Sequence, residues 1–574
     1  MSSVAPALVR LPVWRARFVM AGLVGAFAVL AGRSLYLQAM HTEFLQEKGE
    51  ARYSRVLEVP GTRGRVLDRN GEALAISTPV QSVWAIPGDV EAGPAELRKL
   101  ATLIGTDARE LSRKLADPSR DFVYLKRQIA PDAAKRAAQL GLAGIYQHRE
   151  YRRYYPGGEV TAHVVGFTGV DEAGQEGIEL AFEANLGGTP GSRRVIKDRR
   201  GRVVEDIESI RGAQDGRDLM LSIDVKIQSL AHAALKAAVT GHKARAGAIV
   251  VLDVRTGEVL ALANAPSFNP NNRARLSGTQ LRNRALTDIF EPGSTLKPFT
   301  IALALESGRV SPATSVHIGT SGLRVANHTI HDPHPETALT VAQVIQKSSN
   351  VGAARIALAL HREDMWDFFQ RAGFGAQPGL GFPGEAAGML RPAATWRPIE
   401  QATMAYGHGI SVSLMQLARA YTVFARDGEL VPLSLVKSAV PVAGTRVLSA
   451  QTAREVRAML ELAVQPGGTG PRARIMGWRV AGKTGTAHKQ ENGGYAADKY
   501  ISSFVGLAPA SAPRLVVAVM IDEPSNGQYF GGVVAAPVFA EVTRGALRSL
   551  GVPYDAPLEP VPLPGEGEEA WEST

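Results

Sequence analysis

Ser294 and Lys297 stand three residues apart, just after a Pro-Gly pair, in the stretch EPGSTLKPFT. If the apolar residues that follow form a helix, the two side chains lie on one face, one turn apart, and can hydrogen-bond. Pro298 then falls in the first turn, where its missing N–H costs least. A hydroxyl beside an amine, near the free N–H groups of a helix N-terminus, is suited to nucleophilic acyl transfer. Taken alone, the pair is also typical of an ordinary helix start.

The same spacing occurs at Ser434 and Lys437, where we expect no chemistry. The surrounding stretch, LVPLSLVKSAV, is β-branched and alternating, which indicates a strand. Residues three apart on a strand point to opposite faces, so these two side chains are not expected to meet. Spacing alone therefore does not identify a nucleophile.

A second polar group stands in KSSNVGAARIALAL, where Ser348 and Asn350 mark the junction of two helical runs. A serine and an amide at that position are typical of a helix cap. The same S-x-N pattern occurs at Ser267 and Asn269, in a loop rich in Pro and Asn. This piece is therefore ambiguous on its own.

A third group is more specific, because GKTGT places Lys483, Thr484, Gly485 and Thr486 inside a predicted strand. Glycine weakens a strand but allows another backbone to approach closely. The lysine and the threonine hydroxyls offer a cation and donors for a carboxylate. The order S-x-x-K, S-x-N, K-T-G is the active-site signature of penicillin-binding proteins and class A β-lactamases, where the middle motif is S-D-N.

Strands are predicted on both sides of a helix-rich stretch. The run AGAIVVLDVRTGEVLALAN (246–264) predicts a hairpin, and three short β-branched runs between 476 and 524 predict an antiparallel meander. A helix is predicted within 413–428, between the two strand groups. This order indicates an α+β fold in which an antiparallel sheet is flanked by helices. We place this catalytic domain at 216–548.

The N-terminal part of the chain predicts an anchor and a support. The apolar run at 18–38 predicts a single transmembrane helix, and arginines before it favour a cytoplasmic tail at 1–17. A cleaved signal peptide is the alternative. Residues 39–215 contain a hairpin signal, Asn70-Gly71, and basic loops without a catalytic constellation, which predicts a mixed pedestal domain. The Pro-rich, acidic stretch 549–574 predicts a disordered tail.

Composition excludes several classes of function. The chain has 574 residues, which predicts more than one domain, and it contains no cysteine. Thiolate metal sites, disulfides and a cysteine nucleophile are therefore excluded. A net charge of +9 is mild for this length, and no nucleic-acid-binding module is visible. We expect no metal, no organic cofactor and no nucleic-acid partner.

The chain resembles the septal (division-specific) class B penicillin-binding proteins, the FtsI family, from about residue 15 to 548. The resemblance rests on matching stretches in both regions: RGRVLDRNGEALA, EGIE, ALANAPSFNPNN, EPGSTLKP, SSNVGAARIAL, GFPGE, YGHGISVSLMQLARAY, AGKTGTA and GGVVAAPVF. Two positions depart from the pattern. Arg426 stands where asparagine is usual, and His488 where glutamine or arginine is common.

The resemblance implies a peptidoglycan D,D-transpeptidase that acts on stem peptides and is acylated by β-lactams. It implies that Ser294 is the nucleophile, Lys297 its base and Ser348 a proton relay. Asn350 would orient Lys297 and the substrate amide. The strand residues Lys483, Thr484, Gly485 and Thr486 would bind the terminal carboxylate, with the N–H groups of Ser294 and Thr486 as oxyanion hole.

The same resemblance implies an inner-membrane location, a periplasmic catalytic domain and a glycan-polymerising partner of the FtsW type at the division septum. Four alternatives stay open. They are an elongation-specific transpeptidase, a D,D-carboxypeptidase, a β-lactamase, and a division scaffold with a relict site. "GFPGE" and the overall length favour the septal form, by resemblance only.

Overall fold

The computed structural model describes residues 12–39, 54–197, 203–274, 276–334, 336–438, 440–491 and 494–558. Two compact units share the chain. The smaller unit extends to residue 61 and adds 79–150 and 188–215, and the larger unit comprises 62–78, 151–187 and everything from 216 onward. Two segments of the predicted pedestal thus belong to the larger unit. The division of domains at 215/216 remains our proposal.

The smaller unit begins with the helix Val13–Ala39. In the described part of the chain, its residues Val13–Gln38 form the one helix that is long and apolar enough to cross a membrane. The helix starts five residues before the predicted span, because the residues from Val13 to Arg17 continue its hydrogen-bonded turns. It is a candidate membrane anchor.

Among the residues that the structure describes, the rest of the smaller unit consists of two sheets and three helices. Ser54–Val59, Gly191–Lys197 and Val203–Arg211 form an antiparallel sheet. A second sheet joins the end of Ala73–Ala85 to Val123–Ile129 and to the start of Ile145–Tyr154. The helices are Pro94–Ile104, Ala108–Lys114 and Pro131–Ala138, with a 3-10 turn at Pro87–Asp89. Residues from this second sheet and from all three helices form one small apolar core.

The larger unit is built on a five-stranded antiparallel sheet. Its strands, in spatial order, are Val259–Ala265, Ala246–Asp253, Leu515–Asp522, Gly494–Ala508 and Ala481–Glu491. The last of these carries GKTGT and lies at one edge of the sheet, and we refer to it as the edge strand. Alternate residues of the central strands enter two different cores, so both faces of the sheet are covered.

Helices form a layer on each face. Val225–Gly241 and Ala536–Ser549 cover one face, together with Gly531–Val534. The other face is covered by a helical layer whose members are Lys297–Glu306, Val341–Gln346, Asn350–Leu358, Arg362–Arg371, Pro398–Met404, Leu414–Ala425 and Ala450–Leu462. This arrangement confirms the α+β prediction.

Short elements complete the larger unit. The helices are Ala162–Val165, Gly177–Ala181, Glu183–Leu186, Gly278–Leu281 and Arg284–Thr287, with 3-10 turns at Gly158–Val160, Gly293–Leu296, Ala393–Thr395 and Pro471–Ala473. The short strands are Val66–Leu67, Phe167–Thr168, Gly174–Glu176, Leu219–Met220, Ser315–His317, Leu323–Val325, His328–Ile330, Ala338–Thr340, Glu429–Leu430 and Thr445–Arg446.

The predicted hairpins and the predicted meander are all present, with shifted ends. The hairpin at Asn70-Gly71 has a loop longer than two residues, because Asp68 accepts hydrogen bonds from the N–H groups of Asn70 and Glu72. The chain also stays ordered past residue 549, where a disordered tail was predicted. The Tyr554 ring packs on Trp478, and the Trp478 indole donates to the Pro553 carbonyl. Residues 559–574 lie outside the described residues.

Candidate active site

The turn that carries Ser294 is shaped by glycine. Gly293 has a φ of +56°, a conformation that favours glycine, and it opens the 3-10 turn Gly293–Leu296. The α-helix then begins at Lys297, with Pro298 at its second position, as predicted. A second glycine lets a neighbouring loop dock here, since a Cβ on Gly407 would lie 2.1 Å from the Gly293 carbonyl oxygen.

Lys297 lies between two serine hydroxyls. Its Nζ is 3.0 Å from Ser294 Oγ and 3.0 Å from Ser348 Oγ, and it also donates to the Ser348 carbonyl. The lysine is fully buried and both serines are nearly so. Ser348 adopts a φ of +61°, which is uncommon for a residue with a side chain and places its hydroxyl and its carbonyl on the same amine.

The surroundings of Lys297 favour its neutral form. Burial lowers the pKa of the Lys297 ammonium well below its ordinary value, and the positive charge of Lys483 lowers it further. The carboxylate of Asp332 acts in the opposite direction, and its effect is smaller. A neutral amine within hydrogen-bond distance of a hydroxyl can accept that hydroxyl's proton.

Asp332, which was not predicted from the sequence, organises the segment that holds Ser348 and Asn350. Its carboxylate accepts from the N–H groups of Asn350 at 2.6 Å and Val351 at 3.0 Å, and from the Ser349 hydroxyl. A carboxylate at this end of a helix also complements the helix dipole. Asp332 lies in a His- and Pro-rich loop, where neither spacing nor periodicity marks it.

Asn350 lies at the first position of the helix Asn350–Leu358, beside Ser348. Ser349 is the N-cap of that helix and accepts from the Gly352 N–H at 2.8 Å. Among the residues that the structure describes, no hydrogen bond joins the Asn350 amide to Lys297. The predicted orienting role of Asn350 therefore stays a prediction.

Lys483 is fully buried at the beginning of the edge strand. Its Nζ lies 3.2 Å from Thr484 Oγ1 and 3.4 Å from Thr469 Oγ1, and the two threonine hydroxyls share a hydrogen bond of 2.8 Å. Thr469 was not identified from the sequence. The arrangement gathers one cation and two hydroxyls at one end of the strand, which suits a ligand carboxylate.

Gly485 and Thr486 lie directly against the turn that carries Ser294. A Cβ on Gly485 would lie 2.9 Å from the Pro292 carbonyl oxygen, and one on Gly293 would lie 3.3 Å from the Thr486 carbonyl oxygen. The Thr486 hydroxyl accepts from the Gly531 N–H at 3.1 Å. The three motifs, separated by up to about two hundred residues, therefore meet at one place in the larger unit.

Two decoy pairs repeat the motif spacings elsewhere in the chain, namely Ser434 with Lys437 and Ser267 with Asn269, and their serine hydroxyls have other partners. The Ser434 hydroxyl donates to the Val436 carbonyl at 2.7 Å, within an irregular extended segment. The Ser267 hydroxyl donates to the Glu159 carbonyl, and the Asn269 side chain accepts from the Asn271 N–H. All three hydrogen bonds are ordinary loop contacts.

The two departures from the family pattern have defined contacts. His488 donates from Nδ1 to the Ala496 carbonyl at 2.9 Å, and its ring packs on Tyr500. Arg426 donates to the Val254 carbonyl at 2.8 Å and pairs with Glu429 at 3.1 Å. His488 belongs to the edge strand, two residues beyond Thr486, whereas Arg426 ends a helix of the covering layer.

Comparison with known proteins agrees with this geometry. Residues 247–544 match the family described as the penicillin binding protein transpeptidase domain, and residues 58–221 match the penicillin-binding protein dimerisation domain. The chain is 44% identical over 548 residues to the probable peptidoglycan D,D-transpeptidase PenA of Neisseria gonorrhoeae, covering 95% of this chain and 94% of that protein. It is 42% identical to the peptidoglycan D,D-transpeptidase FtsI of Escherichia coli K12, with 95% and 93% covered.

A solved structure is also similar. The apo transpeptidase domain of penicillin-binding protein 3 from Burkholderia pseudomallei is 52% identical, with a TM-score of 0.55, over 59% of this chain and 98% of that one. The chain belongs to the class B penicillin-binding proteins, which combine a dimerisation domain with a transpeptidase domain. Its activity is that of a peptidoglycan D,D-transpeptidase, as predicted, and penicillin binding follows from the same family.

Proposed function

We propose that the chain cross-links peptidoglycan stem peptides at the division septum through a covalent acyl-enzyme on Ser294. The observation that supports this chemistry is the position of Lys297. A fully buried amine lies 3.0 Å from each of two serine hydroxyls, beside a strand suited to a carboxylate.

Acylation begins when Ser294 Oγ attacks the carbonyl carbon of the penultimate D-alanine. The Oγ–C bond forms as neutral Lys297 takes the hydroxyl proton. The negative charge on the carbonyl oxygen is stabilised by the backbone N–H groups of Ser294 and Thr486. The C–N bond then breaks, and the terminal D-alanine leaves as an amine that receives a proton through Ser348.

The edge strand would bind the substrate's terminal carboxylate. Thr484 and Thr486 supply hydroxyls, and Lys483 supplies positive potential that also favours the neutral state of Lys297. Gly485 allows the strand to lie against the nucleophile's turn. An amine from a second stem peptide then attacks the acyl carbon, its proton returns through Lys297, and Ser294 is released as the cross-link forms.

The septal role and the membrane setting are finer parts of this proposal. They rest on the resemblance to the FtsI family and on the apolar helix Val13–Ala39 as a single inner-membrane anchor. In that setting the N-terminus is cytoplasmic and the catalytic domain periplasmic. The partners would be an FtsW-like glycosyltransferase and other membrane proteins of the division machinery.

Penicillin labelling tests the chemistry. We expect wild-type protein, incubated with a fluorescent penicillin, to form an adduct that mass spectrometry places on Ser294. Ser294→Ala should form none, and Ser434→Ala, the matched decoy, should label like wild type. An adduct on another residue contradicts the proposal, and rapid loss of the adduct with release of hydrolysed penicillin identifies a β-lactamase instead.

Biological tests separate the remaining alternatives. A fluorescent fusion should concentrate at the division site, whereas distribution along the lateral wall would identify an elongation enzyme. Purified protein with donor and acceptor stem peptides should yield the cross-linked dimer. Release of D-alanine without dimer would identify a carboxypeptidase. Normal division with Ser294→Ala as the only copy would identify a scaffold.

A further inference from the structure

Glu291 is a buried carboxylate three residues before Ser294. Only 6% of the residue is exposed, yet its charge has no arginine or lysine within salt-bridge distance in the described part of the chain. Ionised carboxylates are rarely buried unless several donors satisfy them. The hydrogen-bond donors around Glu291 therefore identify the segments that its carboxylate connects.

Donors from two other segments converge on this carboxylate. The Gly409 N–H donates at 2.7 Å and His408 Nδ1 lies 3.3 Å away, both in the loop that docks on Gly293. The Gln490 amide donates at 2.8 Å and the Tyr495 hydroxyl at 3.0 Å. Gln490 and Tyr495 are cross-strand partners at the outer end of the hairpin formed by Ala481–Glu491 and Gly494–Ala508.

The other contacts at the outer end of the edge strand lead into the sheet, since Lys489 pairs with Asp522 at 2.7 Å and with Glu523 at 2.6 Å. Neither of these carboxylates belongs to the turn that carries Ser294. Ala481–Glu491 pairs with a neighbour on one side only, and the register along that pair shifts between His488 and Gln490. Further inward, contact with the nucleophile's turn is made by close packing at Gly485 and Gly293. Glu291 extends that contact outward by hydrogen bonds, so the turn and the strand are joined on both sides of Thr486.

We propose that Glu291 is a positioning residue for acylation. Its carboxylate fixes the outer end of the edge strand against the turn, which keeps the Thr486 N–H aligned with Ser294 Oγ. Alignment matters because the oxyanion donors act only when they lie at hydrogen-bond distance from the developing charge. This inference rests on the proposed role of Ser294.

Glu291→Gln is the direct test, because it keeps the shape and changes the pattern of acceptors. A carboxylate offers two acceptor oxygens, whereas a glutamine offers one and turns an NH₂ group toward the remaining donors. We expect the first-order rate constant for acylation by a fluorescent penicillin to fall about tenfold or more, since small misplacements of reacting groups are costly. Hydrogen exchange of the amides at 488–500 should quicken in the same variant.

Glu385→Gln is the matched control. Glu385 is similarly buried and accepts from the N–H groups of Gly379, Leu380 and Phe382, all within its own loop. We expect it to lower the melting temperature, while the acylation rate constant of the folded protein stays within about twofold of wild type. If Glu291→Gln does not fold, Tyr495→Phe removes one donor from the same carboxylate and should slow acylation by about threefold.

The outcomes are distinguishable from failure of the proposed function. If wild-type protein is not acylated on Ser294, the proposed function fails before Glu291 is tested. If wild type is acylated and Glu291→Gln is acylated at the same rate, or if Glu385→Gln slows acylation equally, the positioning role is wrong. Slower acylation with unchanged exchange at 488–500 would also overturn it, because the strand would not have moved.

Discussion

Replacing Gly485 with alanine tests whether contact between the edge strand and the turn that carries Ser294 sets the rate of acylation. The added Cβ would lie 2.5 Å from Ser503 Oγ, 2.9 Å from the Pro292 carbonyl oxygen and 2.9 Å from a methyl carbon of Thr295. The Ser503 hydroxyl can rotate away. Pro292 presents backbone, so relief requires the strand and the turn to separate by about half an ångström.

The size of the effect follows from that separation. Overpacking of this kind costs about 1–3 kcal/mol of folding stability. A displacement of about 1 Å in a catalytic site lowers a rate about a hundredfold, so half that distance should lower acylation about tenfold. That factor corresponds to about 1.4 kcal/mol of transition-state stabilisation. Gly485 does not have a positive φ, so the contact itself, and not backbone strain, would cause the change.

Gly506→Ala separates the kinetic effect from the loss of stability. Gly506 lies in the neighbouring strand, also without a positive φ, and its Cβ would lie 2.8 Å from the Phe539 ring, in the core on the far side of the sheet. Both variants should melt earlier than wild type. Stopped-flow acylation by a fluorescent penicillin, at a temperature where both remain folded, should be slowed only in Gly485→Ala. Equal rates in the two variants would refute the reasoning.

Two further predictions concern the charges around Lys297. Because burial and Lys483 lower the pKa of Lys297, acylation should fall as pH drops through that pKa, and Lys483→Met should move this acid limb to higher pH in a pH–rate profile. In the window between the lowered folded pKa and the ordinary unfolded value, only the unfolded lysine binds the proton, so its contribution to stability should increase with pH in denaturant titrations. Asp332→Asn should cost about 1.5–3 kcal/mol through weakened charged hydrogen bonds, and should slow acylation as Ser348 loses its support. An unshifted limb, or a stable and fully active Asp332→Asn, would contradict these expectations.

The type and order of residues in the sequence pointed to the side chains that the proposed chemistry uses. Ser294 and Lys297 meet as predicted because one turn of helix is a local structure that short patterns specify. Ser348 lies 51 residues from Lys297, and only the order of the three motifs connected it to the pair. The sheet was also predictable, since its strands are β-branched and separated by turn residues. The shifted strand ends at 481 and 491 were not, because cross-strand pairing decides where a strand stops.

The supporting residues could not be predicted from spacing. Asp332, Glu291 and Thr469 act through donors that lie far along the chain or in irregular loops. In the sequence, a lone carboxylate or hydroxyl in a loop looks the same whether the folded protein buries it or leaves it in solvent. Only the folded chain brings their partners together, so tertiary structure is the source of that information.

The protonation state of Lys297 depends on which groups the neighbouring charges bind. Asp332 is near enough to raise the pKa of Lys297, yet its carboxylate already accepts two backbone N–H groups and the Ser349 hydroxyl. It therefore stabilises a helix N-terminus rather than forming an ion pair with the lysine. Burial and Lys483 then outweigh it, which leaves an amine able to take a proton from Ser294 and pass it toward Ser348. An aspartate paired directly with Lys297 would hold the lysine protonated and remove the base that the proposed reaction requires.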